Sequence, residues 1–253
     1  PMSLKIAGLA LAGVLAASSL AASAYPVKAV TIVVPAPAGG TADLVVRTLT
    51  PRLGTALGVS IVVDNRAGAG GVIASQYVAG AAPDGHTVLM NYTSHAINPW
   101  LLAKVPYDTA TAFAPVAFLG KVPLLMAVPA EGGARTASEF IALARSKPGE
   151  LSYGSAAVGG ASHLGGELFS QLTGGKLLHI GYKGGAAAAL DLATGRISMV
   201  LDSALPLQPH VQAGRVRILG IASEEPSAVF PQYEPVGKLL PGFEATAWFG
   251  LGM

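Results

Sequence analysis

Short apolar runs alternate along this chain with stretches in which apolar residues recur every three or four positions, and glycine-rich loops punctuate the change from one to the other. Val27 to Val34 reads as a strand, and Thr41 to Leu57 as a helix with Leu44 or Val45, Leu49, Leu53 and Leu57 on one face. Pro51 within it predicts a kink or a second helix start at Thr50-Pro51. Val59 to Val63 is a second strand, whose unbroken apolar character predicts burial on both faces. A helix from Val72 to about Ala81, a turn at Pro83-Asp84-Gly85 and a strand from His86 to Asn91 follow, the last ending in a polar loop, Tyr92-Thr93-Ser94-His95. Val116 to Val128 is interrupted by Gly120 and Pro123 and reads as a strand plus a crossover into a second domain. There the alternation repeats: a helix from Ala137 to Ser146, a strand at Leu151 to Tyr153, a helix running through Gln171, a strand at His179-Ile180, a helix after Gly185, and strands at Ile197 to Leu201 and Arg217 to Ile221. Strands separated by single helices imply an α/β fold with right-handed parallel crossovers.

Two of the loops have a common form. Pro35-Ala36-Pro37-Ala38-Gly39-Gly40-Thr41 and Ser155-Ala156-Ala157-Val158-Gly159-Gly160-Ala161-Ser162 each deliver an apolar strand to a helix through a pair of glycines. The first N–H groups of a helix have no partner within it, so such a loop is either an anion cradle or a tight turn with no ligand. A third glycine-rich loop, Gly68 to Gly71, is no dinucleotide fingerprint, because Ile73 stands where the third glycine should be. Helix packing and close contact between domains are its expected roles. The loops after Val34 and Asn91 should open at one sheet edge, which makes Thr93 and His95 pocket candidates, with a plain surface histidine as the alternative for His95.

Composition narrows the function. Half the residues are hydrophobic, 12% are charged and the net charge is +2 with no basic run, so neither nucleic acid nor an anionic membrane surface is indicated as a partner. Lys5, the apolar stretch Ile6 to Leu20 and Ala22-Ser23-Ala24 have the form of a signal peptide cleaved before Tyr25; the alternative, a membrane anchor, would need about 20 apolar residues. With no cysteine, export fits a bacterial periplasm better than a eukaryotic secretory route. Catalysis is poorly supported. Ser155 and Ser162 lack the G-x-S-x-G elbow, and Ser162 and His163 are chain neighbours whose side chains do not face one another. Gly120-Lys121, Gly175-Lys176 and Gly237-Lys238 lack the Ser or Thr of a Walker loop, and five scattered histidines give no metal site, so no cofactor is expected.

Pro35 to Asp43, Asp64-Asn65-Arg66 with Gly68 to Gly71, Ala82-Pro83-Asp84-Gly85, His95-Ala96-Ile97-Asn98-Pro99, Ser162-His163-Leu164 with Gly166-Glu167-Leu168-Phe169, Tyr182-Lys183-Gly184, and Pro241-Gly242-Phe243-Glu244 before Trp248-Phe249-Gly250-Leu251 together resemble the Bug family. These are the periplasmic solute-binding proteins of tripartite tricarboxylate transporters, and the resemblance runs from about Tyr25 to Leu251. It implies a two-domain Venus flytrap clamp in which backbone donors of two facing loops, helped by ordered water, grip a small carboxylate and deliver it to integral membrane transporter subunits. It also implies the domain plan: a signal peptide over 1–24, a first domain over 25–126, a second over 127–247, and a return crossover over 248–253. A monomer is expected. The matching ligand-binding positions are Ala38, Gly39, Gly40 and Thr41 in one loop and Gly159, Gly160, Ala161 and Ser162 in the other. Ser155, Thr93, Asp202 and Ser203, at strand ends of the same sheets, complete the expected set. Asp202 either selects the distal group of the ligand or caps the following helix. Four or five charge-assisted hydrogen bonds, at roughly 1.5–3 kcal/mol each before ordering costs, make micromolar affinity attainable without an arginine. Two departures stand out. Ala36 replaces the bulky aromatic usual in the family, which either enlarges the pocket or removes a stacking wall. The family returns to the first domain for roughly 70 further residues, on domain-length grounds, so the C-terminal part of the first domain is expected to be missing. The alternatives to a transport receptor are a sensor subunit presenting ligand to a membrane receptor and, more remotely, a serine hydrolase.

Overall fold

The computed structural model describes residues 25–253. The signal segment expected over 1–24 lies outside them. Two five-stranded sheets are built to one plan. The first has the order β2-β1-β3-β10-β4 and the second β7-β6-β8-β5-β9. In the first, β1 (Val30–Val34) lies between β2 (Ile61–Asn65) and β3 (Thr87–Tyr92), parallel to both. In the second, β6 (Ser152–Ser155) lies between β7 (Leu178–Gly181) and β8 (Met199–Asp202), again parallel to both. Each sheet is then extended by an antiparallel strand and one more beyond it. In the second sheet these are β5 (Leu125–Pro129) and β9 (Val216–Ile221); in the first they are β10 (Thr246–Gly252) and β4 (Pro115–Pro123). The inserted strand in each case comes directly from the other lobe: the chain crosses at Leu124, between β4 and β5, and returns into β10.

The helices follow the same plan. α1 (Thr41–Leu57), α2 (Val72–Ala79) and α3 (Thr93–Leu101) follow β1, β2 and β3. After α4 (Ala137–Ser146), α5 (Ala161–Thr173), α6 (Gly185–Ala193) and α7 (Ala204–Gln212) follow β6, β7 and β8. Alternation along the strands explains how both faces are covered. Leu124, Met126 and Val128 join a core with Phe140 of α4 and Phe169 of α5, whereas Leu125 and Ala127 join a core with Leu192 of α6 and Leu207 of α7. In the first sheet, Val30, Ile32 and Val34 pack with Ala42 and Val46 of α1, while Val33 packs with Ala74 and Val78 of α2. Each lobe is therefore a sheet between two helical layers.

Four sequence expectations are corrected. α1 runs unbroken through Pro51; the carbonyl of Arg47, which loses its helical donor to proline, accepts instead from the Thr50 hydroxyl at 3.0 Å. Its buried stripe is Ala42, Asp43 and Val46, with Leu44 and Leu57 facing outward. β2 is the edge strand of its sheet and only partly covered, because one side of it has no neighbouring strand. The polar segment Tyr92 to His95 is the end of β3 and the start of α3, not a loop.

Candidate functional site

In both sheets the C-terminal ends of the three parallel strands open onto the space between the lobes, where open α/β sheets bind ligands. A cavity of about 530 Å³ lies there. Three loops of the first lobe wall it: Pro35 to Ala42 after β1, Ala67 to Gly71 after β2, and Tyr92 ending β3. The three equivalent loops of the second wall it from the other side: Ala156 to Val158 after β6, Tyr182 to Gly185 after β7, and Asp202 ending β8. A second hollow, of about 440 Å³, opens by the start of β3 at Gly85 and Thr87, where the one charged wall residue, Asp84, is already paired with Lys28. It offers a ligand far less chemistry than the cleft.

The two double-glycine loops share their backbone geometry. Gly39 and Gly159 have φ of 78° and 77°, and Gly40 and Gly160 cap α1 and α5 at φ/ψ of −76°/167° and −82°/171°. The N–H of Gly40 donates to Pro37 and that of Gly160 to Ala157, both at 3.2 Å. The N–H of Gly39 donates to Asp43 Oδ2 at 2.8 Å, and that of Gly159 to His163 Nδ1 at 3.1 Å, each four residues on. The four glycine N–H groups are thus taken up within the loops. The donors without a partner inside the helices are the first-turn N–H groups, at Thr41, Ala42 and Asp43 and at Ala161, Ser162 and His163, and of these residues Thr41 and Ala42 line the cavity.

Each loop has its own support. Asp43 is buried and also accepts from Arg47 Nε at 3.0 Å and from Asn65 Nδ2 at 3.0 Å; the same amide nitrogen donates to the Ala36 carbonyl. Burial alone would raise the Asp43 pKa, but the bonds from Arg47, Gly39 and Asn65 outweigh it and hold the carboxyl below its usual range. On the other side the His163 ring lies against His179 at 4.0 Å between centroids, the planes tilted by 38°, and Ser162 Oγ accepts from the Ala156 N–H at 3.1 Å. The faces of the loops differ as well. A Cβ on Gly39 would meet nothing within 4 Å, whereas one on Gly159 would stand 2.9 Å from Leu101 Cδ1 of α3. Gly70 makes the matching approach from the first lobe, where a Cβ would stand 3.1 Å from Asn98 Oδ1 and 3.4 Å from the Val158 carbonyl oxygen.

Of the residues singled out from sequence, Gly40, Thr41 and Asp202 line the cavity. Ala38 and Gly39 shape the first loop from behind, and Gly159, Gly160, Ala161 and Ser162 belong to the loop and helix start that dock against α3. Ser203 is buried beside the cleft, and its hydroxyl lies 2.8 Å from that of Thr41, joining the lobes. Thr93 is outside the cavity wall; its hydroxyl accepts from the Trp248 N–H at 3.3 Å, tying α3 to β10. His95 packs among Tyr107 and Phe113, where burial lowers its pKa. Ser155 is fully buried with Oγ 2.7 Å from His179 Nε2. This is a hydroxyl–imidazole pair, but it is closed off from the cleft and burial with the neighbouring His163 lowers the His179 pKa.

Sequence reasoning marks Tyr92 and Tyr182-Lys183-Gly184 as motifs but does not count them, or Gly185 at the start of α6, among the site residues. The rule that found the first two loops would have found these too, since each stands at the C-terminal end of a parallel strand. Tyr92 donates its OH to the Pro35 carbonyl at 3.2 Å, and Tyr182 to Asp191 Oδ2 at 2.9 Å. Burial and the Asp191 bond push Tyr182 up to about 12. Asp202 is buried; its Oδ1 accepts from the Ser203 N–H at 2.7 Å and Oδ2 has no partner. Burial pushes its carboxyl up to about 6 against the pull of the Ser203 bonds.

The chain is similar to several known proteins. The profile described as "Tripartite tricarboxylate transporter family receptor" matches residues 45–252. The protein named "UPF0065 protein in tcbD-tcbE intergenic region", from Pseudomonas sp. (strain P51), is 37% identical over 230 residues, 90% of this chain and 68% of that one. Protein BugT of Bordetella pertussis is 33% identical over 251 residues, 98% of this chain and 77% of its own. Among solved structures, R. palustris Rpa4515 with adipate superimposes at a TM-score of 0.85 with 35% identity, covering 90% of this chain and 77% of that one. MatC from Rhodopseudomonas palustris with bound malate does so at 0.81 with 32% identity, covering 90% and 78%. The expected Bug resemblance and two-lobed α/β clamp hold, and the chain belongs to the tripartite tricarboxylate transporter receptor family of periplasmic solute-binding proteins.

Proposed function

We propose that the cleft captures a small carboxylate in the periplasm and that the loaded protein hands it to the membrane subunits of a tripartite tricarboxylate-type transporter. The observation that carries this reading is the cavity itself: six equivalent strand-end loops, three from each lobe, enclose one space into which the N-terminus of α1 opens at Gly40, Thr41 and Ala42. Helix N-terminal N–H groups and the positive end of the helix dipole suit an anion. Lys183 stands exposed on the wall and adds positive potential at the mouth. Ala36, Pro37, Ala67, Ala69 and Val158 make the rest of the wall apolar, which suits an aliphatic body between the polar ends of a ligand. Relatives solved with adipate and malate support a carboxylate of about this size. Among the described residues no helix is long and apolar enough to cross a membrane, in keeping with a receptor that meets its transporter by docking.

Isothermal titration of the purified protein against four- to six-carbon mono- and dicarboxylates tests this. At least one acid is expected to bind with micromolar or tighter affinity. Silence across the panel from protein shown to be folded by circular dichroism would remove the reading.

A further inference from the structure

Five polar side chains stand on the cavity wall: Thr41, Tyr92, Tyr182, Lys183 and Asp202. Three of these are already bonded, Thr41 to Ser203, Tyr92 to the Pro35 carbonyl and Tyr182 to Asp191. Lys183 is exposed to solvent. Asp202 alone presents a buried atom with nothing to bind: its residue is 8% exposed, Oδ1 is held by Ser203, and Oδ2 meets no donor. Glycine at 185 is what leaves room for that oxygen, since a side chain there would collide with Oδ2. Tyr92 ends β3 as Asp202 ends β8, so the two occupy matching places on the two lobes; the Tyr92 hydroxyl has a partner in the Pro35 carbonyl, whereas Asp202 Oδ2 has none.

We propose that Asp202 makes the cleft selective for acids that carry a hydrogen-bond donor on their carbon chain, a hydroxyl or an ammonium, over the plain dicarboxylates of the same length. The selection rests on the carboxylate reading above and names the ligand class within it. A carboxylate oxygen buried without a donor is unfavourable, and a ligand O–H or N–H directed at it restores the bond lost to water. A second ligand carboxylate in the same place offers only acceptors and like charge. Discrimination by a site built to bond one polar group is steep, because the analogue lacking that group leaves the site's own atom unpaired.

The test uses sets matched in length: succinate, malate and aspartate; and adipate with 2-aminoadipate. Each is titrated calorimetrically into the wild-type protein and into Asp202→Asn, whose amide oxygen can still accept from the Ser203 N–H while its NH2 group replaces Oδ2 with a donor. In the wild type, malate or aspartate is expected to bind at least tenfold more tightly than succinate, or 2-aminoadipate than adipate. In Asp202→Asn that ratio falls below threefold, with the plain diacid gaining. Equal affinities within each set in the wild type overturn the selection while leaving the carboxylate reading in place, and so does a preference that survives Asp202→Asn. No binding of any of the five acids to folded wild-type protein overturns both. The wild-type comparison decides the matter even if the variant fails to fold.

Discussion

In the β1–α1 loop the N–H of Gly39 donates to an aspartate four residues on; in the β6–α5 loop the N–H of Gly159 donates to a histidine at the same spacing. Backbone angles, glycine cap and turn bond agree between the two loops to within a few degrees or tenths of an ångström, whereas Gly70-Gly71 and Gly184-Gly185, also at helix starts, take other backbone angles. What differs is everything the loops face. Gly39 has open space, while Gly159 is pressed against Leu101. The first loop is anchored by an ionic network and lines the cavity through Pro35, Ala36, Pro37, Gly40 and Thr41; the second, tied to His163, lines it through Ala156, Ala157 and Val158 and also docks against α3 through Gly159. One loop geometry thus serves the cavity from both lobes, while only the second copy also packs its left-handed glycine against the opposite lobe.

The half-sites should respond to acid with opposite sign, and this is the largest effect expected. The Asp202 pKa rises from 3.8 to about 6 on folding, so the folded state holds its proton more tightly than the unfolded chain. Below about pH 4 the group is protonated in both states and costs nothing; as pH rises through 4 to 6 the folded state is disfavoured, by up to about 3 kcal/mol. Asp43 is lowered, so its stabilisation is present above the ordinary carboxylate range and disappears as pH falls through and below it. Denaturant melts at pH 3 to 7 should show Asp202→Asn gaining on the wild type as pH rises from 4 to 6, and Asp43→Asn losing its deficit only below about pH 4. Curves that move together would dissolve the distinction.

Next in size, Asp43→Ala should cost about 2–3 kcal/mol, because it strips the acceptor from Arg47, Asn65 and Gly39 while Arg47 remains half exposed and can rehydrate. His163→Ala should cost about 1–2 kcal/mol, one neutral hydrogen bond and a ring contact. Equal losses in urea unfolding would mean that the ionic network adds nothing. Smaller again, Gly39→Ala pays only the left-handed backbone strain of about 1 kcal/mol, whereas Gly159→Ala adds the displacement of Leu101 and should reach about 2 kcal/mol. The smallest contrast concerns affinity for whichever acid titrates. Gly40→Val, whose Cβ meets the Pro37 carbonyl at 3.2 Å and whose methyls enter the helix opening, should weaken binding at least tenfold, and Thr41→Ala by roughly fivefold or less. The reverse order would show that the grip is made by side chains and not by backbone.

The double-glycine loops and the helices at Thr41, Ala137 and Ala161 were legible in the sequence because their signals are local: a turn, a first helical residue, an apolar period. Sheet order is not local, and so β2 read as buried on both faces although it is a partly covered edge strand. The apolar stretch from 116 to 128 read as one strand with a crossover; it is two strands in different sheets, parted at Leu124. Pro51 illustrates a local rule overridden by a neighbour, since Thr50 supplies the bond that proline cannot. At the site, Gly40, Thr41 and Asp202 could be picked out by following strand ends. The contact of Gly159 with Leu101 and the pairing of Ser155 with His179 join residues far apart in the chain, and no periodicity carries that information.

The 2.8 Å contact between the hydroxyls of Thr41 and Ser203 exists only while the lobes are together. A hydrogen bond of this kind is worth about 0.5–1.5 kcal/mol net, which biases the resting ratio of shut to open molecules by roughly two- to tenfold. Apparent affinity scales with the fraction of molecules already competent to bind, so a contact between the lobes would help set the concentration at which a ligand is captured, apart from any bond made to the ligand itself. It would also lengthen the dwell time of a captured molecule, since release requires the same bond to break. On the proposed function, two small hydroxyls on opposite lobes would act as a weak latch, whose strength would set how readily a bound molecule is released.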